Sequence, residues 1–358
     1  MPSPDLSHRE RVLWALDGKP TDRVPIAMVC SGINEPARTQ LDHWLRRQGR
    51  PGVDAWLSPL IDIEGINLTQ DMFIAEGYDM WGVRRAPMPQ PSGGFYMEID
   101  FYPLAEAESP ADLARHAWPR PEQFRYDEFL DRARGHREGR DPCLMLANGN
   151  VFETAWYMRG LENMMMDFLV RPELAHALLD RVADFYIELF DRALGKAGRY
   201  IDLVFTADDV AGQEGLLMSL PMWEEFIKPR HARLNRLIHQ YGKKIIYHSD
   251  GAVMDVVPGF IDMGIDILQA LQFDARGMDP VRLKNEYGHQ LAFEGGISVQ
   301  RTLPFGSAED VAAEVRERVA VLAKGGKYIL GPSHAIQAGT PPENIAALFD
   351  TAAGQAPG

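Results

Sequence analysis

The chain has 358 residues, 46% of them hydrophobic, which is enough for a sizeable core and excludes disordered and collagen-like classes. A formal charge of −14 argues against nucleic acid or an anionic membrane as partner, because both need clustered Lys and Arg to neutralise phosphate. No run approaches the roughly 20 apolar residues of a membrane span, "MPSPDLSHRE" has no apolar signal core, and two cysteines, Cys30 and Cys143, imply no disulfide framework. A cytoplasmic location is expected.

In chain order, Ser7 and Glu10 form a capping box ahead of an amphipathic helix within residues 1–22. The chain then turns into a first apolar segment, Arg23–Cys30. From Glu35 to Asp141 the signals weaken among Pro, Gly and Trp, and Asp54–Ile63 ("DAWLSPLIDI") is assigned as the second strand. After it come Cys143–Asn150, Ile201–Asp209, Lys243–Gly251, Ile265–Phe273, His289–Ser298 and Lys327–His334, each closed by Gly or polar residues. Their continuous hydrophobicity suits parallel strands buried on both faces. Helices are expected over 221–242, 254–264 and 307–326, with Ser307 and Asp310 as one start signal and the hydroxyl of Thr340, ahead of Pro341-Pro342-Glu343, as another. The Met run Asn163–Phe168 is expected to fill core.

This alternation, at about 22 to 40 residues per unit, predicts an α/β fold of (β/α)8 TIM-barrel type. One domain is expected over 1–358, with a helical extension at 1–22, the barrel over 23–353, and insertions. A doubly wound open sheet is the alternative, but no G-x-G-x-x-G turn follows the first strand and no Walker loop occurs.

A parallel barrel gathers its reactive groups at the carboxyl ends of the strands. Those ends supply Cys30 and Ser31; Asn148, Asn150 and Glu153; Asp208, Asp209 and Gln213; His248, Ser249 and Asp250; Gln269 and Gln272; Glu294 and Ser298; and Ser333, His334 and Gln337. Several carboxylates and two histidines on one rim would repel or desolvate one another unless a cation or a proton joins them. His248, Asp250 and His334 are therefore candidate ligands of a catalytic-zinc type of site. In the alternative, Asp209, Asp250, Glu294 and His334 carry out plain acid–base catalysis. Glu153, Gln213, Tyr247, Ser249 and Gln337 are expected to line the substrate pocket. The structural alternatives are Asp208 and Asp209 as helix N-terminal charges, Glu153 as a first-turn residue, and Cys30 as an inert small hydrophobe or, less simply, a thiolate ligand.

The ordered segments "HRERVLWALDGKPTDRVPI", "FTADDVAGQEGLLMSLPMWEEFIKPRHARL", "YHSDG", "LAFEGGIS" and "ILGPSHAIQAGTPPENI" resemble the uroporphyrinogen decarboxylase superfamily over nearly the whole chain. The resemblance implies a TIM barrel and one of two chemistries. True decarboxylases carry an arginine-rich stretch after the first strand; here it reads "CSGINEPARTQ", with Arg38 alone. The corrinoid-dependent methyltransferase branch carries a zinc site of His-x-Cys type with a further Cys after the last strand. At those places this chain has His248, Asp250 and His334, which keeps zinc feasible and makes it harder and more Lewis-acidic. The expectation is transfer of a methyl group between a small O-, N- or S-methyl compound and a corrinoid, with porphyrinogen decarboxylation as the alternative. The corrinoid is expected on a separate carrier protein, since no D-x-H-x-x-G motif occurs. A homodimer is compatible with this reading.

Overall fold

The computed structural model describes residues 6–355 apart from Ser31, Phe73 and 90–92. Its strands are β1 (Ile63–Ile66), β2 (Arg84–Pro89), β3 (Phe95–Phe101), β4 (Cys143–Leu146), β5 (Leu203–Ala207), β6 (Lys244–His248), β7 (Ile267–Ala270), β8 (Ala292–Ile297) and β9 (Tyr328–Pro332). Seven of them form one curled parallel sheet in the order β1-β4-β5-β6-β7-β8-β9. The fold is that of a TIM barrel, as the alternation of apolar runs and helices predicts.

The expected first strand, Arg23–Cys30, supplies the eighth stave as an irregular one. Ala27 N–H donates to Leu330 on β9, Leu330 N–H to Pro25, and Asp62 N–H, just before β1, to Ile26. A regular ladder is interrupted because Pro25 has no N–H and the Ile26 N–H is taken by the Asp62 carboxylate at 2.8 Å. The expected second strand is displaced. Val53–Leu57 is a helix, and the strand starts only at Ile63. Val53, Trp56 and Leu57 are buried at i, i+3 and i+4, a helical period read as a strand.

Inside the staves, Ala27, Ile63, Met145, Phe205, Ile246, Ile267, Ala292 and Ile329 form a small cluster that Val12 and Leu16 of the helix His8–Leu16 close from below. A larger core fills the space between staves and outer helices. Ser7 and Glu10 make the expected capping box, and Ser307 with Asp310 makes another before the helix Ala308–Leu322. Pro341 takes the cap position of the last helix, Pro342–Ala353, with no side-chain cap, so Thr340 does not play the expected part. The long helix expected over 221–242 divides into Leu220–Phe226 and Lys228–Gln240, because Pro229 cannot continue the hydrogen-bond ladder. Over 254–264 a 3₁₀ turn, Met254–Val256, leads into a short helix, Val257–Asp262. In the Met run only Met164 is fully buried; Met166 faces solvent on the surface helix Leu161–Val170.

Two features border the staves. Beneath them Asp62, fully buried, binds His8 Nδ1, Arg11 Nη1 and Arg23 Nη1, each at 2.7 Å. Within the weakly patterned stretch, β2 and β3 form an antiparallel hairpin that brings Arg85 and Tyr96 close to the upper rim.

Candidate active site

Strand register builds the floor of the site. His248 pairs with Gln269, and Gln269 with Glu294, so parallel pleating carries all three side chains into the barrel at one level. His248 Nδ1 hydrogen-bonds Gln269 Oε1, an acceptor, so Nδ1 carries the hydrogen and Nε2 is turned to the mouth, 3.6 Å from Asp209 Oδ1. Glu294 fits only because position 331 is glycine: a Cβ there would lie 2.8 Å from its Oε1 and 2.4 Å from the Ala27 carbonyl.

The rim loops then set the upper groups. The Asp250 N–H donates to Asp209 Oδ1 at 2.7 Å and the Gly251 N–H to Gln272 Oε1 at 2.8 Å. Gly251 turns at φ +90°, where a Cβ would strike the Gly212 carbonyl at 2.6 Å, so "HSDG" closes on the one residue that this turn admits. His334 Nε2 stands 3.9 Å from Asp250 Oδ2, and the two histidine rings are 5.8 Å apart. Two groups have ligand atoms mutually within 4.8 Å: Cys30, His248 and His334; and Asp209, His248 and Asp250. His248 belongs to both. Glu153 closes one side, accepting from Asn150 Nδ2 and the Tyr157 hydroxyl at 2.7 Å each.

The electrostatics follow from burial and like charge. Burial, then Asp209 and Asp208, push Glu153 up to about 7. Burial, joined by Asp209, raises Asp250 against the pull of both histidines, and burial alone holds Glu294 well above the carboxylate range. The histidines divide. Burial lowers His248, but Asp250, Asp209 and Glu153 outweigh it and raise the ring; burial and the neighbouring His248 lower His334 despite Asp250.

Of the residues singled out from sequence, Glu153, Asp209, His248, Asp250, Glu294 and His334 come together. Gln337 lies at the rim, accepting from Asn34 Nδ2 and bonded to the Tyr96 hydroxyl, whose pKa burial raises. Tyr247 points outward into the helix layer against His231 and Phe260, and Ser249 holds the Val210 N–H, so neither lines the mouth. Gln213 is exposed in the loop after β5, its carbonyl taken by the Arg276 N–H. Asp208 is a helix N-terminal charge, though for a helix in another unit: fully buried, it accepts from the N–H groups of Phe152 and Glu153 at 2.8 Å and from His231 Nε2 at 2.5 Å. Ser31 lies outside the described residues. Arg38 is spent on exposed Asp54 at 2.6 Å. Sequence reasoning missed Arg85, which stacks on Tyr157 and is paired with Asp79 at 2.6 Å, and Tyr96; both reach the rim from an insertion with no strong period.

The uroporphyrinogen decarboxylase (URO-D) family matches residues 105–354, well over half of the chain. The chain belongs to that family. Among its relatives is the methylated-thiol–coenzyme M methyltransferase of Methanosarcina mazei, 29% identical over 221 residues. That match covers 61% of this chain and 54% of the relative, so the aligned stretch spans about half of that protein's length. The methylcobamide:CoM methyltransferase MtaA of Methanosarcina barkeri is 25% identical over 350 residues, 95% of this chain and 96% of that protein. A solved methyltransferase from Methanosarcina mazei superposes with a TM-score of 0.67 at 21% identity, covering 98% of this chain and 99% of its own, and so shares the fold. In this URO-D family member no helix among the described residues is long and apolar enough to cross a membrane.

The residues present fit a metal ion. Two imidazoles, a thiol and two carboxylates converge on one rim, Asp250 Oδ1 is buried with no hydrogen-bond partner among the described residues, and nitrogen, oxygen and sulfur donors together suit zinc.

Proposed function

We propose that this protein is a methyltransferase component that moves a methyl group between a small O-, N- or S-methyl compound and a corrinoid held on a separate carrier protein. The observation that carries the reading is the acidic, imidazole-bearing rim of a chain similar over 95% of its length to a methylcobamide:CoM methyltransferase. His248, Asp250 and His334 would hold Zn2+. When bound, the ion would supply a Lewis acid that polarises the heteroatom carrying the methyl group.

The chain's own groups then have separable parts. Glu153, at about 7, can hold or release a proton near neutral pH, as a heteroatom that loses its methyl group requires. Asp209 fixes the backbone of Asp250, and Gln269 fixes the His248 ring. Asp209 and Glu294 are further proton carriers or ligands. Tyr96 and Gln337 cover the rim.

Uroporphyrinogen is the substrate of the alternative reading, and its eight carboxylates oppose that fit. One unit pair at 4 Å is worth about 4 kcal/mol of repulsion at an effective dielectric near 20. The nearby cations are engaged, Arg38 with Asp54 and Arg85 with Asp79. A small neutral or cationic methyl donor is therefore expected, in a cytoplasmic protein with neither nucleic acid nor membrane as partner and with a homodimer allowed. The test is anaerobic incubation with reduced corrinoid protein and a panel of O-, N- and S-methyl donors, following formation of methylcorrinoid by absorbance. Methylation by at least one donor class is expected. No methylation across the panel, together with conversion of uroporphyrinogen to coproporphyrinogen, would restore the decarboxylase reading.

A further inference from the structure

One of only two cysteines in the chain stands at the rim. The Arg23–Cys30 segment is bonded on one side to β9 and on the other to the residue before β1, and this closure of the barrel brings Cys30 beside His334, which follows β9. His248, at the end of β6, faces both across the mouth. Cys30 Sγ and a ring nitrogen of each histidine lie mutually within 4.8 Å. Ligands of a tetrahedral zinc, with nitrogen at about 2.0–2.1 Å and sulfur at about 2.3 Å, stand roughly 3.3–3.8 Å apart. Side-chain rotations of about 1 Å therefore close the three around an ion.

Two independent observations point the same way. Gln269 occupies His248 Nδ1 and leaves Nε2 as the donor towards the mouth, the outer-shell arrangement that orients a metal-binding imidazole. Asp250 Oδ1 is buried and unpartnered among the described residues, while its Oδ2 is 3.9 Å from His334 Nε2, so a carboxylate oxygen is within reach of a fourth position. The competing group, Asp209, His248 and Asp250, lacks sulfur and offers a harder site.

We infer that Cys30, His248 and His334 are the protein ligands of a zinc site, with Asp250 beside the remaining position and the thiolate entering from the first stave. This refines the metal set of the proposed function and shares its ion, but its tests read metal and thiol, so they succeed or fail apart from any methyl transfer. The sulfur donor makes the ion softer than a set of histidines and carboxylates alone would, and it makes Cys30 the residue through which oxidation would release the metal.

The first test is replacement of zinc by Co2+ in the full chain. Wild type should bind one equivalent and show an intense near-ultraviolet sulfur-to-cobalt absorption. That absorption should be lost in Cys30→Ser and retained in Cys143→Ser, whose thiol is fully buried within the barrel. Zinc affinity should fall at least about tenfold in Cys30→Ser. The second test needs no variant: because Cys143 is buried, a thiol reagent added to the native protein reports Cys30, and saturating zinc should slow its reaction at least tenfold. Wild type that binds no metal, cobalt protein without the sulfur absorption, the absorption surviving in Cys30→Ser, or thiol reactivity unmoved by zinc would each overturn the assignment.

Discussion

The two ends of this barrel handle buried carboxylates in opposite ways. Below the staves Asp62 is fully buried, yet His8, Arg11, Arg23 and the Ile26 N–H surround it, and these partners hold its pKa below the usual range although burial, the largest influence, pushes it up. At the mouth Glu153 and Glu294 are buried and Asp250 is half-buried, with no arginine or lysine matched to any of them, and all three are raised. The lower end is therefore an architectural joint and the upper end a site that waits for a proton or a cation, since uncompensated burial is where binding and catalysis concentrate. The same chain spends Arg11 and Arg23 on the buried acid at the bottom, whereas Arg85 at the rim is paired with Asp79 rather than with Glu153, Asp250 or Glu294.

The largest expected effect tests the lower half of that contrast. Asp62→Ala should destabilise the protein by about 3–5 kcal/mol, because it leaves Arg23 half-buried without a counter-charge, leaves buried Arg11 with Asp22 alone, and strips the Ile26 N–H of its acceptor. The depressed pKa means that the contribution of Asp62 is present above its unfolded pKa and is lost as pH falls through the folded value. Denaturant unfolding across pH 2 to 6 should show a flatter acid limb in the variant. A loss below about 1 kcal/mol at neutral pH would remove Asp62 from its place as the joint.

The next effect has the opposite sign and pH window. Glu153 is raised from 4.5 to about 7, so its contribution is fully present below its unfolded pKa and is lost as pH rises through about 7. Glu153→Gln removes that loss. The metal-free variant should match wild type near pH 4.5 and exceed it at pH 8, by at most about 3 kcal/mol. Denaturation midpoints at the two pH values measure the difference. A variant less stable than wild type at pH 8 would show that the carboxylate is compensated after all, and the contrast between the ends would fail.

Much of this architecture is legible in the residues, and the failures have identifiable physics. Strands buried on both faces announce themselves as unbroken apolar runs, so six of the staves stand within their expected segments. The rim acids and histidines follow from the ends of those runs. In "YHSD" the period of two was available and decisive: His248 and Asp250 reach the mouth, while Tyr247 and Ser249 turn outward beside His231 and Val210. The expected strand Asp54–Ile63 fails because the helix that takes its first residues, Val53–Leu57, has only three apolar positions besides Ala55, too few to distinguish one period from the other. Nothing local marks Gln213 as exposed or Tyr96 as reaching the rim, since both depend on how loops and a hairpin lie across staves distant in sequence. The place of Cys30 depends on barrel closure, the longest-range fact in the fold.

The smallest effect asks whether the two ends are energetically separate. Ser7 accepts from the Glu10 N–H, Glu10 returns the bond to the Ser7 N–H, and the Ser7 hydroxyl also reaches Asp141 at 3.0 Å. The helix they start closes the barrel floor with Val12 and Leu16, so Ser7→Ala should cost about 1 kcal/mol of global stability. It should leave metal affinity at the mouth unchanged. The interior cluster lies between Ser7 and Glu153, with no shared hydrogen-bond partner between them. The double variant Ser7→Ala with Glu153→Gln should therefore show the sum of the two single changes to within about 0.5 kcal/mol. A larger deviation would mean that the floor and the mouth share strain through the row from Ile246 to His248, and the compensated joint would then belong to the energetics of the site.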